Sequence, residues 1–247
     1  MLQSLRKIIF LLRYHLFHKH KLSRTVKEKV NGIEFLVYPS VFNPVSYYSS
    51  KLFADFVSAL NDLEGKRVLD MGCGTGIIGI FAALKGANVT AADKNPEAVK
   101  CTTENAKRNN VSSKLIAYEG DLFQPINVPS PSERGAGVRF FDIIFFNPPY
   151  YSKEPKTDFE LGFNAGKDLR VIDDFAAAGK AYLNENGIIY LIVSSDVGDT
   201  NYPPLTKGGV GGLDALINIF NRNAFTHKFV TTKRKLFETF YIMEMTM

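Results

Sequence analysis

No stretch constrains the fold of this chain more than Phe141-Asp142-Ile143-Ile144-Phe145-Phe146-Asn147-Pro148-Pro149-Tyr150. An apolar run of this length bounded by turn residues reads as a buried strand of a parallel sheet. Two prolines end it, because neither has an N–H to give to a ladder or a helix, and Pro148 holds Asn147 extended. The result is a stiff corner at the carboxyl end of a central strand, the edge where open α/β sheets take ligands. A carboxamide, a free carbonyl and a phenol ring are held there together.

Around that strand the pattern alternates. Strands are expected at Arg67–Met71, Asn88–Ala92, Leu115–Tyr118, Phe141–Phe146 and Gly187–Val193. Helices are expected over 51–60, 76–84, 96–109, 169–183 and near 213–220, with Asn95 as a cap ahead of Pro96. Residues 228–232 and 239–245 alternate as an antiparallel pair would. This is a doubly wound, mostly parallel seven-stranded α/β sheet with an antiparallel last strand. Asn31-Gly32 between Val26–Val30 and Ile33–Tyr38 marks a hairpin ahead of it. The expected division is therefore an extension over 1–40 and a domain over 41–247. The Pro-, Ser- and Gly-rich residues 125–138, and residues 200–213, read as surface loops.

The charge is unevenly placed. The chain carries a net +5, yet residues 1–30 hold eight Lys or Arg against Glu28 alone, which leaves the remainder slightly acidic. Leu2, Leu5, Ile8, Ile9, Leu12 and Leu16 recur at helical spacing among these charges, so the arm reads as a basic amphipathic helix. Such an arm suits contact with RNA or a membrane surface, and its apolar run is too short to span a bilayer. No secretory cleavage site follows it. Two cysteines, Cys73 and Cys101, exclude a disulfide framework and a four-cysteine zinc site. A reducing, cytoplasmic location is the expectation, with a mitochondrial presequence as the alternative.

Asp70-Met71-Gly72-Cys73-Gly74-Thr75-Gly76 links the first parallel strand to the first helix. Glycines there allow a tight turn and close approach of a ligand to free helix N–H groups. Residues 74–79 also fit the dinucleotide pattern, with Asp93 as the acid expected about 20 residues on to hold a ribose. On pattern alone, NAD and S-adenosylmethionine both remain possible. Asp70 tips the balance, since a carboxylate suits a ligand with an ammonium group better than a pyrophosphate.

The order of these segments resembles class I S-adenosylmethionine-dependent methyltransferases over roughly residues 40–195. The resemblance implies that Asp70, Gly72, Cys73, Gly74, Thr75 and Gly76 form the first cofactor motif. It implies that Asp93 holds the ribose, and that Gly120-Asp121-Leu122-Phe123 lies beside the adenine. Asn147-Pro148-Pro149-Tyr150 is similar to the motif of the branch that methylates planar amino groups, with Asn147 also next to the cofactor. Residues 41–52 resemble the segment preceding the first motif, which suggests Ser49 or Ser50 near the cofactor. They depart from it at Tyr47-Tyr48, where Gly or Asp is more usual. Residues 166–175 resemble the glutamine branch in outline only.

The acceptor that suits this corner is a nitrogen conjugated to a carbonyl or ring. Relatives with the same motif act on a glutamine amide of peptide release factors, on guanine N2 of ribosomal RNA, or on adenine N6. The near-neutral domain leans the reading toward a protein glutamine; an RNA base is the alternative, and an NAD-dependent oxidoreductase a distant one.

Overall fold

The computed structural model describes residues 24–126, 141–198, 212–235 and 238–247. The expected N-terminal helix and most of both expected surface loops lie outside the described residues.

The chain begins with a hairpin, β1 (Val26–Val30) and β2 (Ile33–Val37), turning at Asn31 and Gly32 with φ of 49° and 86°. Both values are positive, as a two-residue turn matched to strand twist requires. Helix α1 follows (Tyr48–Ala59), then β3 (Arg67–Met71), α2 (Ile77–Leu84), β4 (Asn88–Asp93), α3 (Pro96–Arg108) and β5 (Leu115–Glu119). Next come β6 (Phe141–Phe146), a short helical turn α4 (Asp158–Leu161), α5 (Arg170–Gly179) and β7 (Leu183–Ser194). Helix α6 (Gly212–Arg222) and the strands β8 (Thr226–Lys235) and β9 (Glu238–Thr246) complete it.

The seven-stranded sheet has the order β5-β4-β3-β6-β7-β9-β8. Pairings from β5 through β7 are parallel, and those of β9 with β7 and with β8 are antiparallel. Because β3 sits between β4 and β6, the chain reverses its winding direction there, and a crevice opens at the carboxyl ends of those strands.

One core packs α1, α2 and the hairpin against one face, around Phe35, Phe53, Ile80 and Phe145. The other packs α5 and α6 on the opposite face, around Ile144, Phe146, Phe175 and Phe220. The hairpin shares the first core: Phe35 is fully buried and its ring lies 6.1 Å from that of Phe81. Asp142, the one charge in the central run, sits at the amino end of β6. There it accepts the Arg67 N–H at 2.8 Å and a bond from Asn184, so its charge is spent away from the crevice.

Several boundaries differ from the expectation, among them β8, which runs over Thr226–Lys235 rather than 228–232. Helix α1 starts at Tyr48 rather than Lys51, α5 gives way to a 3-10 turn at Lys180–Tyr182, and β7 starts at Leu183 rather than Gly187.

Candidate active site

Register alone assembles the site. Met71 pairs with Ala92 on one side and with Phe146 on the other, and Asp93 pairs with Glu119. Gly72, Asp93, Asn147 and Gly120 therefore leave the sheet at one level. They line a single cleft of about 780 Å³ that runs from Asp121 and Leu122 past the glycine loop to Tyr150.

The glycine loop is held from both sides. Gly72, Gly74 and Gly76 have φ of 66°, 55° and 76°, a region that costs other L-residues strain. At Gly76 a Cβ would also stand 2.8 Å from Thr102 Cγ2. Gly76 is the N-cap of α2 and has no side chain to serve that helix start. Asp70 supplies the missing acceptor from β3: its Oδ2 takes the Gly79 N–H at 2.8 Å. Glycine at 79 suits this approach, since a Cβ there would stand 3.0 Å from that oxygen and crowd it. Asp70 lines the cleft but is only 3% exposed, and burial, with Asp93 nearby, pushes its carboxyl up to about 7.

Asp93 does two things. Its Oδ2 accepts the Gly74 N–H and its Oδ1 the Asn95 N–H, each at 2.9 Å. It therefore pins the loop while lining the cleft, and a carboxylate, with about four acceptor sites, keeps spare acceptor capacity there. Burial raises its pKa, and the backbone N–H bonds of Asn95 and Gly74 partly offset that. The Cys73 thiol is buried, pushed well above its usual range by burial and both acids, and accepts a bond from Thr102 Oγ1. What Cys73 can offer a ligand is therefore its backbone. Asp121 pairs with Lys94 at 2.6 Å on the cleft rim, and Leu122 beside it has a left-handed φ of 50°.

Behind the loop stands Asn105, fully buried on α3. Its Oδ1 accepts the Leu36 N–H at 2.7 Å, and its Nδ2 donates to Leu36 O at 2.8 Å and Thr75 O at 2.9 Å. Thr102 Oγ1, one turn earlier, lies 3.1 Å from Gly74 O. The hairpin is thus clipped to the glycine loop through α3. Sequence reasoning missed this pair; two polar residues on the buried stripe of an amphipathic helix were the available signal.

At the corner, Asn147 Nδ2 lies 3.4 Å from Ser50 Oγ on α1. With the amide NH₂ directed at Ser50, Oδ1 is left as an acceptor in the cleft. Tyr150 is fastened by its backbone, donating to Phe163 O at 3.1 Å and accepting from Gly198 N at 2.8 Å. Its hydroxyl bonds Ser194 and Tyr151; burial, and Glu238 nearby, push the phenol far above its usual range, so it stays protonated. Phe42, Tyr47 and Phe163 form a wall over this end. Phe42 stacks on Tyr47 at 4.1 Å, and Phe163 meets them at 5.1 and 5.2 Å. The wall was not foreseen, although Tyr47 stood out as a departure.

A glycine loop, an acid one strand over and an amide–prolyl corner on the other side, all on this sheet order, define a class I S-adenosylmethionine-dependent methyltransferase. The chain belongs to the methyltransferase small domain family, whose sequence model matches residues 34–218. It is an enzyme with S-adenosylmethionine as cofactor. A Methanocaldococcus jannaschii protein named as a putative protein N5-glutamine methyltransferase is 37% identical over 177 residues, 69% of this chain and 81% of that one. A tRNA (uracil(54)-C(5))-methyltransferase of Pyrococcus furiosus is 27% identical over 53% of this chain and 28% of its own length. Among solved structures, SMU.776 complexed with SAH superposes with a TM-score of 0.62 at 14% identity. That match covers 90% of this chain and 56% of the other, and it speaks for the fold alone.

Proposed function

We propose that this enzyme methylates the side-chain amide nitrogen of a glutamine in a protein, of the kind found in peptide release factors. The observation that carries the reading is the likeness to the Methanocaldococcus jannaschii relative, which at 37% identity spans 69% of this chain and 81% of that one.

The described residues fit the cofactor. Left-handed glycines at 72, 74 and 76 let backbone N–H groups approach a ligand, with Cys73 and Thr75 between them. Asp93 has acceptor capacity for a ribose diol, Asp70 for an ammonium group, and Asp121 with Leu122 would flank the adenine. Bound there, S-adenosylmethionine supplies an electrophilic methyl group.

The protein's own part is to present the acceptor. An amide nitrogen is a poor nucleophile because its lone pair is delocalised into the carbonyl. Asn147 Oδ1 and the Pro148 carbonyl can each accept one N–H of the acceptor, turning its lone pair toward the methyl. As the N–C bond forms, positive charge grows on nitrogen and both hydrogen bonds strengthen, so the corner binds the transition state more tightly than the ground state. Pro149 keeps the corner stiff, and the Tyr150 ring is the surface against which a flat acceptor would lie. The proton becomes acidic only after transfer, so no base is needed beforehand; it leaves to water.

The test is transfer of a tritiated methyl group from labelled S-adenosylmethionine into a cell lysate. Label released by protease and resistant to RNase is the expected result. Label released by RNase would replace this reading with the exocyclic amine of an RNA base, for which the basic residues 1–30 speak.

A further inference from the structure

The outer edge of the sheet carries a feature that the transfer reaction does not use. Strand β8, Thr-His-Lys-Phe-Val-Thr-Thr-Lys-Arg-Lys, is last in the sheet order, so among the described residues one side of its backbone has no neighbouring strand. It holds four Lys or Arg, a histidine and no acid, on a chain whose residues 24–247 carry equal numbers of basic and acidic side chains. The two faces of the strand differ. Lys228, Lys233 and Lys235 pair across the ladder with Glu244, Phe240 and Glu238, and so lie on the face shared with α1. His227, Phe229 and Arg234 lie on the other. There the Phe229 ring is 43% exposed and stands 5.7 Å from His227 and 5.5 Å from Tyr241.

Edge strands are commonly guarded by lysine, which blocks pairing with other chains. That role needs one or two charges and no exposed ring. Here an aromatic cluster sits on a strand whose own charges are all positive, although Lys228 lies 3.8 Å from Glu244 on β9; rings beside cations let successive bases stack while phosphates are neutralised. The geometry points to β8 as a binding surface for single-stranded nucleic acid, with lysines along one flank for the phosphates and His227, Phe229 and Tyr241 on the other for bases. From His227 to Lys235 the strand extends about 27 Å, room for about four nucleotides. Its carboxyl end leads to the cleft: Lys235 Nζ lies 4.3 Å from the centre of the Tyr48 ring, between Tyr47 and Ser49, which both line it.

The test is fluorescence anisotropy of the full chain with a fluorescein-labelled, unstructured 12-nucleotide RNA, and a DNA oligomer of the same sequence in parallel, across a salt series. Phe229→Ala should weaken binding roughly 5- to 100-fold without changing the salt slope, in line with the loss of one stacked base. Substituting Lys228 and Lys233 together by Gln should reduce the slope of log K against log salt by about 1.4, at about 0.7 per phosphate contact on a single strand. Equal weakening of both oligomers by Phe229→Ala supports a surface that reads backbone and stacking; weakening with RNA alone supports one selective for RNA. The proposal is overturned if neither oligomer binds at low salt, or if both variants bind like the parent protein, which would put the contact on residues 1–23. The residues changed are exposed, and an unchanged melting temperature identifies a folded variant. None lines the cleft, so methyl transfer can fail or succeed independently of this result.

Discussion

Replacing Asp70 by Asn should make the cofactor-free enzyme more stable near neutral pH while weakening cofactor binding. Asp70 is 3% exposed, and its carboxyl titrates near 7 against an ordinary 3.8. An unfolded Asp releases its proton near 3.9, so between about pH 4 and 7 the folded state holds a proton that the unfolded state has lost. Stability from this group is therefore fully present below about pH 4 and is lost as pH rises through 7. A shift of about three units corresponds to about 4 kcal/mol at most. Asn keeps an acceptor for the Gly79 N–H but gives up a charge-assisted bond, which offsets about 1 kcal/mol. A net gain of about 2–3 kcal/mol at pH 7.5 is expected. Urea unfolding of both proteins at a series of pH values measures it. The variant's curve should be flatter, although Asp93, raised in the same direction, leaves a residual slope. Calorimetric titration with S-adenosylhomocysteine adds a second readout. Parent affinity should rise as pH passes 7, whereas Asp70→Asn should bind roughly tenfold more weakly there and lack that rise. Parallel stability curves, or a variant destabilised at every pH, would refute the picture of a buried acid that carries its charge only for a ligand.

Asn147→Ala should leave S-adenosylhomocysteine affinity near that of the parent and lower kcat by about 10²–10³, the usual cost of removing one preorganised polar contact to developing charge. Methyl incorporation at saturating cofactor checks it, and unchanged turnover would remove Asn147 from the mechanism. Asn105→Asp keeps the acceptor for Leu36 N–H but loses both donated bonds, to Leu36 O and Thr75 O. Leu36 O keeps the Cys101 thiol as a donor at 3.2 Å, so Thr75 O is the carbonyl that loses its side-chain partner; at about 1–3 kcal/mol for that loss, the cofactor KM should rise roughly 5- to 100-fold. Its kcat should change little once cofactor is saturating, a split that general destabilisation would not produce.

Most of the scaffold was legible because buried parallel strands announce themselves by composition and the Asn-Gly turn by its backbone demands. What escaped depends on contacts made across the fold. Tyr48-Ser49-Ser50 is a poor helix start by propensity, yet Ser50 faces Asn147 and the Tyr48 ring packs edge-on against Phe240 at 5.2 Å. The early start of β7 runs through Asn184-Glu185-Asn186, and its polar residue is used by Asp142 on the neighbouring strand. At the site, the identity of Asp70 and Asp93 could be read, but not their bonds to Gly79, Gly74 and Asn95. A side chain that caps a helix from another strand leaves no local signature.

The choice between a glutamine and a base rests on what the wall admits. On the proposed mechanism the inner corner engages only a planar NH₂, which both acceptors share. A flipped base brings a ring that must be stacked to be held. Phe42 and Tyr47 are 4.1 Å apart and cover one face of each other, while Phe163 contacts both at 5.1 and 5.2 Å. No slot opens between Phe42 and Tyr47 for a third plane, so a base would have to lie on their outer faces or against Tyr150. A glutamine needs less, because behind its amide comes a thin aliphatic stem that can pass along the wall without parting it. Nucleic acid on β8 does not conflict with this. That edge lies outside the cleft, so the proposed contact on β8 and an amide at Asn147 would not compete for space.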